Sequence, residues 1–487
     1  MAGTAMRRVR RAAARGRPVS GSLLAQAVTE HDPSTGPCRV HDTRVAGPVD
    51  LAHRQLEFGV EFVRCRFLGP VDLRGLSAAS LDLSDSSIPA LLADGLVVDG
   101  DVRLSGCVVG ATPGEPRELG TEATVVRDGV RGPHRVTEPS AEAPLRLADA
   151  RIAGSLTAEE LRLHSTGLWS VFAPRLQVDG AVQGRGLEAS GAVYLRDARV
   201  AHAVRFDGAS VGGIDATGLS CGRGFYADWG FHSRGQILLR GAAVESVVTF
   251  HDATLNGPHG ELILSRLRTS RLRLGLRAAP AGRIVLRDAQ VGALVDDTAS
   301  WPTEGQLDIE GLVYKRLGSA TPLSVKDRLT WLALDREAGV GVFEQLAASY
   351  QAAGDERAAR TVRHARERHL RRGDRLTGRM WGALQDVLFG YGYAPRRALL
   401  WLVALVAAGS AWFSVHTPAP VGGSGQRDFD PVLYCMDLLI PVVSLGYRSA
   451  FDPVGWDKAV AVFLIVSGWV LATAVVSGAS RMLSRGT

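Results

Sequence analysis

Large apolar residues recur at steps of five and six along much of the chain. Between Gly191 and Val211 they fall at Leu195, Val200, Phe206 and Val211, and 44 residues later the same spacing returns at Leu239, Val244, Phe250 and Leu255. Alanine lies two positions before the second and fourth of each set, at Ala198, Ala209, Ala242 and Ala253. A third copy, Gly282 to Val291, keeps the glycine, leucine, alanine and valine. A helix would repeat its apolar face every three to four residues and a half-buried strand every two, so the chain bends between successive apolar positions. Self-similarity at a fixed period marks stacked units that cannot bury their apolar side alone. The expectation is a mainly β solenoid.

The rhythm begins at Cys38-Arg39-Val40 and Thr43-Arg44-Val45, runs through Phe62, Phe67, Leu73, Leu83 and Ile88, and ends near Leu312. A body over 37–318 follows, preceded by a basic tail over 1–36 that reads as unstructured. The tail lacks the continuous apolar core of a signal peptide, and contact with anionic lipid is its functional reading. The segment 111–144 is rich in Pro, Gly and Glu without apolar rhythm and reads as an extruded loop. Four aromatics crowd Gly224 to Phe231, either a recognition loop or a capped corner of the coil.

From Ser324 the period becomes helical. Val325, Leu329 and Leu332 suit one helix, Phe343, Leu346 and Tyr350 a second, and Ala358, Val362 and Ala365 a third after Gly354-Asp355. The region 322–397 is therefore expected to cap the solenoid and then form a basic αα-hairpin. In 398–487, Ala398 to Val415 gives 18 residues without a charge and Ala459 to Ser480 gives 22. Each is long enough to span a hydrocarbon core. A shorter apolar run, 432–446, is broken by Asp437 and Pro441 and reads as a re-entrant or interfacial segment.

Charge adds direction. Eleven arginines stand against five carboxylates from Asp355 to Arg397, an excess equal to the whole chain's +6. Arg371, Arg372, Arg375, Arg379, Arg396 and Arg397 precede the first run and are candidate contacts for anionic lipid headgroups. With Arg481 and Arg485 after the second run, the positive-inside rule places both termini and the solenoid in the cytoplasm, at an inner membrane crossed twice. Cys38, Cys65 and Cys107 each sit two before an apolar residue, the place alanine takes elsewhere, and read as small packing residues.

The small–x–large triplets Ala198-Arg199-Val200, Ala209-Ser210-Val211 and Ala253-Thr254-Leu255 resemble pentapeptide-repeat proteins and related right-handed parallel β-helices in a degenerate form. The span, short segment, span order of the tail resembles two-helix ion channels. Where a potassium-type filter would stand, the chain has Ser444-Leu445-Gly446-Tyr447-Arg448, and an arginine there opposes cation passage. Asp437, ionisable within apolar sequence, joins Ser444, Gly446, Tyr447 and Arg448 as a membrane-site candidate. The architecture, with GYGYAPRRALLWL and GWVLATAVVSGASRML, resembles an actinobacterial family labelled membrane-associated oxidoreductase, and that resemblance implies redox chemistry. The residues themselves supply no dinucleotide fingerprint, since Gly222-Arg223-Gly224 lacks the third glycine.

Asp197, Asp207, Asp252 and Asp288 recur in the repeats; they read either as a carboxylate ladder of the kind carbohydrate-active β-helices use or as turn residues bonding nearby N–H groups. His202, His251 and His364 are scattered. The favoured function is a non-catalytic scaffold at the inner membrane face, with protein partners on the solenoid, no cofactor, no nucleic acid and self-association through the spanning helices. The alternatives are a membrane-associated oxidoreductase, or a channel or transport element acting around Asp437 and Arg448.

Overall fold

The computed structural model describes residues 4–110, 143–257, 259–372, 395–421, 428–440 and 446–483, with backbone alone over 371–372, 395–400 and 470–483. They divide into two units, Met1–Arg366 and Glu367–Thr487.

The first unit is a parallel β-solenoid. Most strands are two residues long, such as Val71–Asp72 and Leu81–Asp82, with one side chain facing the lumen and the next facing out. A tight turn then redirects the chain, which accounts for the five-residue step. Equivalent strands stack coil on coil into sheets of 10 and 11 strands and an 18-stranded sheet that wraps a corner. Towards the C-terminal end that corner opens, and the strands Ala243–His251, Arg268–Gly275, Gln290–Asp296 and Val313–Ser319 run straight across it.

Val193 pairs with Ile214 and Ile214 with Ile237, so the 44-residue repeat in the sequence spans two coils. Adjacent coils differ in how they fill one lumen column. Ala150, Leu176, Ala198, Leu219, Ala242, Leu267, Ala289 and Leu312 follow one another up that column, all buried. A small residue thus lies between two large ones, so successive layers interdigitate. Each Leu, Val or Phe so enclosed contributes about 1.5–3 kcal/mol.

Two columns of turns carry the left-handed backbone. One holds Asp149, Arg175, Asp197, Gly218, Gly241, Arg266, Asp288 and Gly311, and the other includes Asp42, Arg64, Asp85, Gly106, Glu160, Gly186, Gly208 and Asp252. Gly218, at φ +73°, shows why glycine follows aspartate here: a Cβ at that position would run into the Asp197 carboxylate of the neighbouring coil.

Residues 4–36 are not the unstructured tail the sequence leads one to expect. Helix α1 (Thr4–Ala14) buries Ala5, Met6 and Val9 while its arginines face out, and α2 (Gly21–Thr29) buries Leu24, Ala27 and Val28. Val19–Ser20 between them joins the 10-stranded sheet beside Arg44–Ala46. Together they close the first coil, as solenoid ends require. The expected loop at 111–144 falls almost wholly outside the described residues; the pairing of Val97 with Arg151 carries the stack past it unbroken.

At the other end, α3 (Val325–Ala333), α4 (Val340–Ala352) and α5 (Glu356–Arg372) follow the last coil. Ser324 and Asp327 form a capping box on α3, each side chain serving the other's backbone N–H. Trp331, Leu332, Phe343 and Leu346 bury themselves in the same core as the solenoid lumen. Asp335 accepts the Ile309 N–H at 3.0 Å and Gln345 donates to the Tyr314 carbonyl at 2.6 Å, which ties these helices to the final coil.

In the second unit, α6 (Pro395–Val415) and α9 (Trp456–Leu483) coincide with the two apolar runs, and part of each lies outside the residues whose side chains are described. Among the described residues no helix is long and apolar enough to cross a membrane. The intervening run contains α7 (Pro431–Leu439), N-capped by Asp430, and after 441–445, which are outside the described residues, the short α8 (Tyr447–Ala450). Phe413, Tyr434, Cys435, Leu438, Leu439, Phe451 and Leu464 form the interior of this unit. Gly468 sits where a Cβ would strike the Leu439 carbonyl, so α9 and α7 touch backbone to backbone.

Candidate functional site

The second unit brings together two of the residues singled out from sequence. Asp437, 5% exposed on α7, accepts a hydrogen bond from the backbone N–H of Arg448 at 2.8 Å. Gly446, at φ +78°, turns the chain into α8 so that this N–H points back at the carboxylate, and Tyr447 stacks on Phe451 with centroids 6.2 Å apart. The bond is to the main chain of Arg448, so Asp437 fixes the fold of the 446–450 turn. Ser444 lies outside the described residues, as do Arg375 and Arg379 and the side chains of Arg371, Arg372, Arg396 and Arg397.

The carboxylate ladder does not assemble. Asp197 and Asp288 share one turn column and Asp252 belongs to the other, while Asp207 is one residue ahead of the left-handed Gly208. Asp197 and Asp288 are four coils apart, about 19 Å at the usual strand spacing, beyond the reach of paired acid–base chemistry. What the turn carboxylates do instead is clasp arginines of neighbouring coils. Arg64 holds Asp42 at 2.7 and 2.9 Å, Arg175 holds Asp149 at 2.6 and 2.6 Å, and Arg277 holds Asp252 at 2.9 and 2.8 Å. Those arginine hydrogen bonds lower the pKa of all three carboxyls. His251 packs edge-on against Trp229 at 4.9 Å, and among the described residues no group of three or more His, Cys, Asp or Glu is placed to hold a metal ion. Of the crowded aromatics, Phe225 and Phe231 are lumen residues; Trp229 alone stands well exposed.

The cysteines are packing residues. Cys65 and Cys107 fill the column beside the turns, Cys65 between Thr43 and Ser86 and Cys107 between Ser86 and Leu161 of neighbouring coils, with the Cys107 thiol 2.8 Å from the Leu83 carbonyl. Cys38 instead faces the lumen from a strand, paired with Val60. Burial pushes the Cys38 and Cys107 thiols up to about 12 and Cys65 to about 11, from an ordinary 9.0. A disulfide reagent at pH 8 is expected to leave all three unmodified in the native protein and to label them fully in denaturant, measured by mass spectrometry. Because their folded pKa values are raised, the stability they hold is complete below pH 9 and falls as pH climbs from there towards 12.

One constellation was not legible in the sequence. Where the last strand, Val313–Ser319, meets α3 and α4, Arg328 and Asp296 form an ion pair at 2.7 Å with each residue 3% exposed. Asp296 also accepts from the Trp301 indole at 2.9 Å, and Arg328 donates to the Gly318 carbonyl at 2.8 Å and lies against the rings of Trp301 and Trp331. Above this floor opens a cleft of about 430 Å³ whose walls include Lys315, Arg316, Ser319, Ser349 and Tyr350. The partners lie 32 positions apart and share no motif, so only the fold unites them.

Comparison of the chain with protein-family models, with curated proteins and with solved structures gives no match.

Proposed function

We propose that this protein is a scaffold held at a membrane by its C-terminal helices, with the solenoid as the surface it offers to partners. The observation that carries the reading is the inverted character of the second unit. Its interior is packed, yet α6 and α9 turn large apolar side chains outward: Val403 and Phe463 are each 60% exposed, Val415 77% and Trp469 57%, with Val462 and Val466 beside them. A water-facing unit of this size would bury such residues or replace them, whereas acyl chains cover them without cost. Trp412, which donates from its indole to Asp457 at 2.9 Å, has the amphipathic ring that settles at a headgroup level. The arginine excess before α6 agrees with attachment at an anionic cytoplasmic leaflet. The turn fixed by Asp437 keeps α7 and α8 in place between the outer helices.

Membranes prepared from cells producing the full chain are expected to retain it through high salt and alkaline carbonate, and to release it only with detergent. Phe463→Arg with Val466→Arg, which sets two charges on the outward face of α9, is expected to move most of it to the soluble or aggregated fraction. Recovery of the unaltered protein as a monomer in the salt wash would sink the proposal.

A further inference from the structure

Many outward arginines of the solenoid face a carboxylate on their own or the next coil, as Arg74 does with Asp72, Arg196 with Asp215 and Arg287 with Asp308. On the long strands of the last coils several cations instead lie close together. Arg268, Arg271 and Arg273 on one strand, and Lys315 and Arg316 on another, are exposed and make no ion pair among the described residues. Glu245 is the carboxylate nearest by register, at the irregularity opposite Ser270, and it too stands exposed. Arg271 pairs with Ala293 and Ala293 with Arg316, so the two guanidinium-bearing positions share one row, two strand spacings or about 10 Å apart, with only a methyl group between them.

That row leads to the cleft beside the Val313–Ser319 strand. Its walls carry three cations, Lys315, Arg316 and Arg328, and no carboxylate. The donors of Arg328 are engaged by Asp296 and Gly318, so it fixes the floor, and Lys315 and Arg316 are the cations left for a ligand. Hydroxyls of Thr321 and Tyr350 share the wall, the Ser349 hydroxyl donates to the Leu346 carbonyl at 2.8 Å, and the Ser319 Oγ is out of solvent without a hydrogen-bond partner. The volume suits a small molecule. A compact ammonium, an arginine fork and nearby hydroxyls, with no competing carboxylate, are what a phosphate group requires.

We propose that this cleft binds a phosphate ester or diphosphate, with Lys315 and Arg316 as its direct ligands and Arg271 available to a second phosphate. The site lies wholly within the solenoid and its cap and does not depend on membrane attachment.

The test is calorimetric titration of the full chain, in neutral detergent, with inorganic pyrophosphate. Saturable binding is expected, weakened by about tenfold or more in Lys315→Gln/Arg316→Gln, with the far-ultraviolet circular dichroism unchanged. Tyr350→Phe, which removes one wall hydroxyl and no charge, is expected to weaken it by a smaller factor. A soluble phosphate and a lipid headgroup share this chemistry: competition by phosphatidic acid in mixed micelles, but not by phosphatidylcholine, identifies a headgroup, and its absence a soluble ligand. Failure to saturate at millimolar pyrophosphate, or binding that the double substitution leaves intact, overturns the proposal. So does an oligonucleotide that outcompetes pyrophosphate and binds the double variant equally well.

Discussion

Asp296→Ala is expected to lower the stability of the C-terminal end of the solenoid by about 3–5 kcal/mol. The carboxylate is buried together with the guanidinium it neutralises, and removing it leaves the Arg328 charge enclosed without a counter-ion. The indole of Trp301 loses its acceptor in the same step. Arg328 sits on α3, so the strain falls on the joint between that helix and the last strands, which also holds Tyr314 and Leu332 out of water. Asp296→Leu combined with Arg328→Met, which removes both charges and keeps volume, is expected to recover most of the loss. Urea unfolding of the full chain in detergent, followed by tryptophan fluorescence, distinguishes the two. A single substitution within about 0.5 kcal/mol of the parent would show that the pair is of no consequence.

Phe225→Ala carries a similar expectation for a different reason. Phe206 and Phe250 lie two coils apart with Ala227 between them in register, and the fully buried ring of Phe225, which pairs with Val204 and Val248 in the intervening coil, packs between theirs with centroids 6.0 and 6.1 Å apart. Truncation removes the middle ring, leaves a cavity that the flanking coils cannot collapse into, and costs about 3–5 kcal/mol, while Phe225→Leu costs clearly less. A solenoid's stability is a sum over neighbouring coils, so the loss is local. Hydrogen exchange is expected to quicken in the strands around Val204, Val248 and Leu272 and to stay slow near Val71 and Leu91. Uniform loss of protection along the whole body would contradict this.

The solenoid was legible because two-residue strands and tight turns leave a five-residue signature, and the apolar residues that carry it, from Val45 to Ile309, are buried as expected. The 44-residue likeness spans two coils, one more than the eye picks out. Sequence likeness picks out coils whose small residues coincide, as Ala198 and Ala242 do, and passes over the coil between them, where Leu219 takes the same place. The N-terminal cap escaped notice because α1 is so rich in arginine that its narrow apolar stripe, Met6 and Val9, does not register as a helix face. Asp437 and Arg448 were both singled out, and the hydrogen bond from the Arg448 main chain to the Asp437 carboxylate gave no sign in the sequence. Asp296 and Arg328 gave no signal, since burial and pairing of charges arise only once the last strand and α3 pack together. The carboxylates Asp197, Asp252 and Asp288 follow the turn reading, and their periodicity reflects the left-handed backbone they share with glycine.

The column from Ala150 to Leu312 restricts how such a chain can change its length. Excising one coil, that of Ala198 for instance, would set Leu176 directly upon Leu219 and force that stretch of the lumen to repack towards the arrangement Leu76 and Leu96 adopt lower in the same column, whereas excising or duplicating two at once keeps every small residue between large ones. From Ala150 to Leu312, growth or loss by pairs of coils therefore disturbs the packing least.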